Sequence, residues 1–225
     1  MSRKPFIFSL LCILGLALFT LMTWINLPEL EQYPIHWNAK GEADGFASKT
    51  GVFWVLMIIP INQIFITAVC WFIPSIEPLR ENFEQSRSAY NIIWTVLMAF
   101  VTAAGVMIVL MYHDGGSILT EAPLKWVAGG LSLLFLFIGN VMGKVRQNFL
   151  LGIRTPWTLS SELSWEKTHR LGGRLFVITG VVGILMAILL PNIAVYFVIT
   201  ALLGVVAVSF VYSYLVWKDD PNKRQ

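Results

Sequence analysis

Charged residues are scarce in this sequence, and their scarcity excludes most soluble folds. Only 13% of the 225 residues are charged, 56% are hydrophobic, and the mean hydropathy is +0.70. A typical soluble domain carries about 25% charged residues. A soluble fold of this length has too little interior to bury so much apolar surface, so we expect the bilayer to be the solvent. The nine Trp and six Tyr residues suit the interfacial aromatic belts.

Cysteines and catalytic motifs are also scarce. The two cysteines, Cys12 and Cys70, fall inside hydrophobic runs, where buried apolar thiols are expected in preference to a disulfide or a metal pair. The sequence contains no phosphate-binding loop, no Gly-x-Ser-x-Gly motif and no His-Glu-x-x-His motif. We therefore expect no catalytic residue, no metal and no cofactor, and we do not expect an enzyme.

Long hydrophobic runs are what the sequence does contain. A hydrocarbon core about 30 Å thick needs about 20 helical residues to cross it. Helices are predicted because strand-like alternation is absent and an open sheet leaves backbone groups unpaired in lipid. The expected fold class is an all-α polytopic membrane protein with six transmembrane helices, at residues 6–26, 52–73, 90–112, 124–142, 175–190 and 193–217.

The lysine and arginine residues predict the orientation of the chain. With the N-terminus inside, 13 of the 16 basic residues lie in cytoplasmic segments, and only Lys40, Lys49 and Lys125 remain outside. Because basic residues concentrate in cytoplasmic loops, we expect both termini inside. The net charge of +3 then follows from topology and does not indicate direct nucleic-acid binding.

The first outer loop, residues 27–51, combines aromatic and acidic residues with turn signals. Trp37 is expected either in the interfacial aromatic belt or in a binding surface, and His36 is a possible ligand or pH-sensitive group. No metal-ligand spacing connects His36 with His113 and Asp114, so no metal site is expected there. The candidate contact residues of this loop are Pro34, His36, Trp37, Asn38, Gly41, Asp44 and Gly45.

Several features inside the predicted spans concern helix packing. Pro60 removes a helix hydrogen bond, and the following Asn62 and Gln63 either line a cavity or form interhelical hydrogen bonds. Gly139 and Gly143 have the spacing that permits close approach of two helices. Asn140, which lies between these glycines, is expected to form a hydrogen bond across their contact.

A polar segment, residues 139–174, interrupts the hydrophobic runs and is the most informative part of the chain. Its arginine, lysine and histidine side chains are costly in lipid, so we expect them at a surface, a cavity or a binding site. A structural clasp and a docking surface for a cytoplasmic partner both remain open. The candidate residues are Gly152, Arg154, Thr155, Pro156, Trp157, Trp165, Thr168, His169, Arg170 and Gly172.

The polar segment is also predicted to contain a short interfacial helix on the cytoplasmic side, between spans 4 and 5. Thr155 is a suitable N-cap, and Pro156 suits the first helical position. The helix is expected over residues 157–171 and to end at Gly172–Gly173. It is predicted to lie along the membrane interface.

Two motifs carry a family resemblance. The runs Gly152-Ile-Arg-Thr-Pro-Trp-Thr and Thr168-His-Arg-Leu-Gly-Gly resemble the signature of the SdpI family of bacterial membrane proteins. The run Pro34-Ile-His-Trp-Asn, with Gly41-Glu-Ala-Asp-Gly45, is similar to a domain of unknown function that accompanies it. This resemblance implies an N-terminal three-span region at 1–112 and an SdpI-like region at 113–225, with the cytoplasmic loop at 143–174.

The resemblance implies a function as well. The family's named role is immunity, in which a multi-spanning protein of the cell membrane protects a producing cell against a secreted toxic peptide. Two other interpretations rest on residues alone: a small transporter or channel, from Pro60, Asn62 and Gln63, and a membrane signalling protein that binds a cytoplasmic partner through loop 143–174. Enzymatic use of Ser160, Ser161 and His169 ranks last.

Overall fold

The computed structural model describes residues 3–38, 43–113 and 123–223. Within these residues, six helices are long and apolar enough to cross a membrane, which confirms the predicted all-α polytopic fold. The long helices are α1 (Arg3–Ile25), α2 (Lys49–Ile76), α4 (Arg87–His113), α5 (Pro123–Met142), α7 (Glu162–Leu189) and α8 (Pro191–Lys218). The short elements are β1 (Tyr33–Trp37), β2 (Ala43–Ala47), α3 (Arg80–Gln85) and α6 (Pro156–Ser160).

The chain forms two compact units that alternate along the sequence. One unit contains residues 3–69 and 97–113 of the described chain, and the other contains residues 70–96 and 124–223. Helices α2 and α4 each contribute residues to both units. The polar segment belongs entirely to the second unit, and the first outer loop belongs entirely to the first.

The first unit is built around a cluster of buried apolar side chains, among them Leu16, Val52, Leu56 and Val109. In α2, the Gln63 side-chain amide donates a hydrogen bond to the Thr102 hydroxyl of α4 at 2.7 Å. Gln63 therefore forms an interhelical hydrogen bond, which is one of the two roles that its position within a span predicts.

The β1–β2 hairpin of the first unit was not predicted from the sequence. Its strands pair antiparallel with two register irregularities, which the short polar loop pattern does not reveal. The Tyr33 ring is buried, and its hydroxyl donates to the Pro28 carbonyl. The Tyr112 hydroxyl of α4 donates to the Pro34 carbonyl at 2.7 Å. These tyrosines fix one strand of the hairpin to the helices.

In the second unit, α7 and α8 run antiparallel from a one-residue connection at Leu190. The Ser164 hydroxyl of α7 donates to the Ser213 carbonyl of α8 at 2.8 Å, and Ala187 lies in one apolar cluster with Ala194. Small residues at these positions let the two backbones approach closely.

Helices α5 and α7 also approach closely, through glycines. A Cβ atom added to Gly139 would lie 2.6 Å from the Gly173 carbonyl oxygen, and one added to Gly180 would lie 2.6 Å from the Ser132 carbonyl oxygen. Gly139 therefore packs closely as predicted, whereas Gly143 lies just after the end of α5, where an added Cβ atom makes only an ordinary contact with Arg170. Asn140 differs from its prediction, because its side chain is exposed and forms no hydrogen bond across this contact to any described residue.

A short helix is present between spans 4 and 5 as predicted, but its predicted extent, residues 157–171, is wrong. The structure instead forms the five-residue α6 and then a separate helix that continues from Glu162 to Leu189. Ser161, with extended backbone angles, separates the two and caps α7. Gly172 and Gly173 do not end the helix, because a helical glycine costs only about 1 kcal/mol and here both glycines face close neighbours that a side chain would displace.

Gly139→Ala is expected to destabilise the second unit, because a Cβ atom 2.6 Å from a backbone oxygen forces α5 and α7 apart. We expect a loss on the order of 1–3 kcal/mol, measured as a lower unfolding midpoint of the purified protein in detergent. The matched control is Gly204→Ala in α8, where an added Cβ atom meets nothing within 4 Å. Equal midpoints for the two variants would contradict the close helix contact.

Candidate functional site

The candidate site is the segment between α5 and α7, which contains the short helix α6, together with the first turns of α7. Its backbone is held by acceptors from distant parts of the second unit. The Glu77 carboxylate, only 1% exposed, accepts hydrogen bonds from the Phe149 N–H at 3.1 and 3.2 Å and from the Leu79 N–H at 3.0 Å. Because the carboxylate is buried without an ion-pair partner among the described residues, these N–H groups replace the water that it has lost.

Two neighbouring amide side chains shape the same segment. The buried Asn148 side chain accepts from the Leu150 and Leu151 N–H groups, at 3.0 and 2.6 Å. The Gln147 side chain donates to the Thr158 and Leu159 carbonyls, at 2.8 and 3.0 Å. The segment is therefore a tightly hydrogen-bonded turn that is fastened to α6.

His169 and Gly152 form the centre of the site. The His169 Nε2 atom accepts a hydrogen bond from the Ile153 N–H at 3.0 Å, and Nδ1 lies 2.9 Å from the Trp165 carbonyl oxygen. An accepting Nε2 carries no proton, so Nδ1 is the donor and the imidazole is neutral. Gly152 has φ +115°, and a Cβ atom there would lie 2.3 Å from His169 Nε2. Only glycine fits this position.

Trp165 supports the histidine from the other side. Its ring stacks on the His169 ring, with centroids 4.0 Å apart and planes inclined by 21°. The Trp165 Nε1–H donates to the Val145 carbonyl at 2.8 Å, although the side chain is only 1% exposed. The tryptophan thus connects the end of α5 to the imidazole, and its only polar atom is satisfied.

Thr155 starts α6 as the sequence predicts, but it also contacts α8. Its hydroxyl accepts from the Thr158 N–H at 3.1 Å in a capping box, and Pro156 occupies the first turn. The same hydroxyl donates to the Ser213 hydroxyl at 3.0 Å. Trp157 packs edge-on against Phe210 of α8, with centroids 4.8 Å apart.

Ser161 and Asp220 fasten the start of α7 to the chain after α8. The Ser161 hydroxyl donates to the Asp220 carboxylate and accepts from the Ser164 N–H at 2.9 Å. The Ser161 hydroxyl and then the Asn222 N–H lower the pKa of Asp220 below its usual value, so this carboxylate is ionised at neutral pH. The Ser161 oxygen and the His169 ring nitrogens are therefore not arranged as a nucleophile and its base.

The structure divides the predicted residues of the polar segment into two groups. Thr155, Trp165, Thr168, His169 and Gly172 are buried within the second unit, whereas Arg154, Pro156 and Arg170 are exposed and Trp157 is half-buried. Arg154 donates to the Phe149 carbonyl at 2.6 Å. Arg170 lies 3.7 Å from the Glu166 carboxylate, which also binds Arg146 at 2.8 Å. The Thr168 hydroxyl has no hydrogen-bond partner among the described residues.

The structure places several residues of the first outer loop on the hairpin. His36 Nδ1 lies 2.5 Å from the Asp44 carboxylate, and both side chains are largely exposed. Gly45 is opposite His36 in the register, where an added Cβ atom would lie 2.9 Å from the His36 Cβ. Pro34 belongs to β1, and Asn38 follows that strand. The Trp37 side chain, Gly41, the His113 side chain and Asp114 lie outside the described residues. Among the residues that were described, no three His, Cys, Asp or Glu side chains are grouped to hold a metal.

Sequence reasoning missed the residues that hold the polar segment from outside it. Glu77 is an acidic residue between Pro74 and Pro78 at the end of a hydrophobic run, and this position is the one local sign of its role. Ser209 and Ser213 lie four residues apart in α8 and therefore share one helix face. Both are buried against α7 and the polar segment. Asp220 carried no local signal, because its partner lies 59 residues away.

Gly152→Ala is expected to destabilise the protein by roughly 2–4 kcal/mol, because the positive φ is unfavourable and the methyl group meets His169. Gly143→Ala is the control, since its Cβ atom would lie 3.7 Å from the Arg170 side chain, an ordinary contact. The unfolding midpoints of the two purified variants measure the loss of stability in each.

A double-mutant cycle with His169→Ala separates the backbone strain at residue 152 from the steric overlap of its side chain with His169. The His169→Ala single variant leaves the Ile153 N–H without its acceptor, at a cost of about 1–3 kcal/mol. Because deleting the imidazole also removes the overlap, the double variant is expected to lose less stability than the sum of the single variants. Strict additivity would show that Gly152 and His169 are not in contact.

Two separate regions of the chain match known protein families. Residues 144–213, which include Trp165, His169 and Ser213, match the SdpI/YfhL protein family. Residues 10–60, which include both hairpin strands, match the domain of unknown function DUF1648. The chain is 24% identical over 216 residues to "Immunity protein SdpI" of Bacillus subtilis (strain 168), covering 96% of this chain and 97% of that protein. No solved structure matches. The chain therefore contains a region similar to the SdpI/YfhL family and, before it, a region similar to DUF1648, within one multi-pass protein of the bacterial cell membrane.

Proposed function

We propose that this chain is an integral membrane immunity protein that protects the cell producing it against a secreted antimicrobial peptide. The observation that carries the proposal is the similarity to a protein named for immunity over nearly the full length of both chains. This similarity includes the hairpin as well as the polar segment, so it is not limited to hydrophobic spans of similar composition.

The proposed protection is non-enzymatic. Both ring nitrogens of His169 bind backbone groups, and the Ser161 hydroxyl is used in capping α7 and binding Asp220. A general base needs a free lone pair within reach of the proton that it accepts. The two most suggestive side chains of the segment are therefore occupied in holding the fold, which supports a binding or blocking function.

The hairpin is the proposed surface for the secreted peptide. Under the positive-inside rule the N- and C-termini are cytoplasmic and the hairpin is outside, where such a peptide arrives. His36 and Asp44 pair with each other on its exposed side, and the Phe46 ring is 54% exposed. An aromatic ring beside a polar pair offers both apolar area and orientation to a peptide partner.

The polar segment has a second candidate function, the binding of a cytoplasmic protein. Exposed Arg154, Lys167 and Arg170 give it a positively charged outer surface, whereas its family-specific buried residues act as an internal clasp. Transport is the weaker alternative, because Gln63 uses its amide in a helix–helix hydrogen bond, although Asn62 is exposed.

Cysteine labelling tests the orientation. In a Cys12→Ser/Cys70→Ser background, we expect Phe46→Cys to react with a membrane-impermeant maleimide in intact cells. Lys167→Cys, which is also exposed, is expected to react only after permeabilisation. The reverse pattern would overturn the orientation and with it the hairpin as the surface that meets the secreted peptide.

Survival of sensitive cells tests the function. Cells that express the chain are expected to survive exposure to a secreted antimicrobial peptide from the strain that produces the chain, whereas empty-vector cells die. His36→Ala/Asp44→Ala is expected to abolish protection at an unchanged membrane level, because it removes the exposed pair. Glu31→Ala, an exposed acid outside the strands, is the control. Absence of any survival gain with the wild-type chain in the membrane would sink the immunity proposal.

A further inference from the structure

A groove of about 440 Å³ opens between α5 and α7, on the surface of the second unit. Glycines create it, because Gly139 and Gly173 are in backbone contact at its base and Gly143 leaves one side without a side chain. Val177 and Ile178 form its apolar part, and Ile178 is 58% exposed. The groove is continuous with the apolar surface that faces lipid in a membrane-spanning helix.

Two arginines line the same groove. Arg170 and Arg174 are four residues apart on α7 and are both exposed, so they project from one face of the helix. Arg170 is only 3.7 Å from Glu166, and that carboxylate is shared with the closer Arg146. Among the described residues, no carboxylate lies within ion-pair distance of Arg174. The groove therefore carries positive charge that the protein itself does not neutralise.

The depth of the arginines along α7 indicates where this charge sits. Counted from Leu189 at 1.5 Å per residue, Arg174 lies about 22 Å and Arg170 about 28 Å along the helix. The hydrocarbon core is about 30 Å thick. With Leu189 at one boundary of the core, Arg170 is thus near the opposite boundary, next to the headgroups, and Arg174 is one turn deeper, where an arginine is costly unless it finds an anion or extends to the interface.

Asn140 adds a neutral donor at the same place. Its side chain is exposed in the groove, two residues before the end of α5, and has no hydrogen-bond partner among the described residues. A polar amide without a partner beside hydrocarbon is unfavourable. Phosphate and ester oxygens of a lipid are the acceptors available at that depth.

We propose that this groove binds an anionic phospholipid, with the headgroup phosphate held by Arg170, Arg174 and Asn140 and an acyl chain lying along Val177 and Ile178. Charge complementarity selects an anionic headgroup, and the open apolar side of the groove selects a lipid over a free phosphate ion. The site lies within the second unit and does not depend on the proposed immunity function.

Native mass spectrometry of the full-length protein, released from nanodiscs of mixed lipid, tests the proposal. The probes are phosphatidylglycerol and phosphatidylcholine, which share the phosphate but differ in net charge. We expect phosphatidylglycerol to be retained preferentially by the wild-type protein. Each of Arg170→Gln and Arg174→Gln is expected to weaken its retention roughly fivefold, as one arginine–headgroup interaction is lost. Lys218→Gln, which removes one exposed charge at the end of α8, is the control.

Gly143→Leu tests the groove without changing any charge. An added Cβ atom at Gly143 would be 3.7 Å from Arg170, so the fold tolerates a side chain that then fills the groove. We expect it to reduce phosphatidylglycerol retention while Arg174→Lys preserves it. Retention equal to wild type in both Gly143→Leu and the Arg170→Gln/Arg174→Gln double variant, with helical content unchanged, would overturn the proposal. Displacement of the lipid by inorganic phosphate would overturn the choice of a lipid occupant.

Discussion

The pairing of backbone polar groups is the constraint on which the second unit depends. Residues 143–155 are not helical, yet they lie at the end of membrane-spanning helices, where unpaired N–H and C=O groups cost several kcal/mol each. Glu77, Asn148 and His169 supply the acceptors that this stretch needs. A buried carboxylate and a neutral imidazole thus replace the regular hydrogen bonds that a helix provides by itself.

This constraint explains why Trp165 and His169 are buried. Trp165 stacks on His169, and Gly152 leaves room for the imidazole edge. Each of the three restricts the other two, because a shift of the ring removes the acceptor of the Ile153 N–H. These contacts hold the segment before α6 against α7, whereas Arg154 and Arg170 lie outside them and are exposed.

In the first unit, tyrosine hydroxyls pair with backbone carbonyl groups outside the helices. The Tyr33 and Tyr112 hydroxyls bind the Pro28 and Pro34 carbonyls, and the Lys49 ammonium binds the Leu27 carbonyl and the Glu29 carboxylate. A short hairpin alone is marginally stable in water. These bonds and the burial of Tyr33 attach the hairpin to the helices, while the His36–Asp44 pair stays exposed.

The sequence by itself determined the six spans, because about 20 apolar residues between polar loops have few alternatives to a membrane helix. It also determined the Thr155 cap and the approach of a helix to Gly139, since both depend on local spacing. It did not determine that α7 continues through Gly172 and Gly173. Whether a glycine ends a helix or packs inside it depends on which atoms of another element lie close to it. Only the tertiary structure decided that Glu77 binds Phe149, that Ser161 binds Asp220 and that Gly152 meets His169. These partners lie 72, 59 and 17 residues apart, and a contact at such separation depends on how the helices pack, which no local pattern encodes.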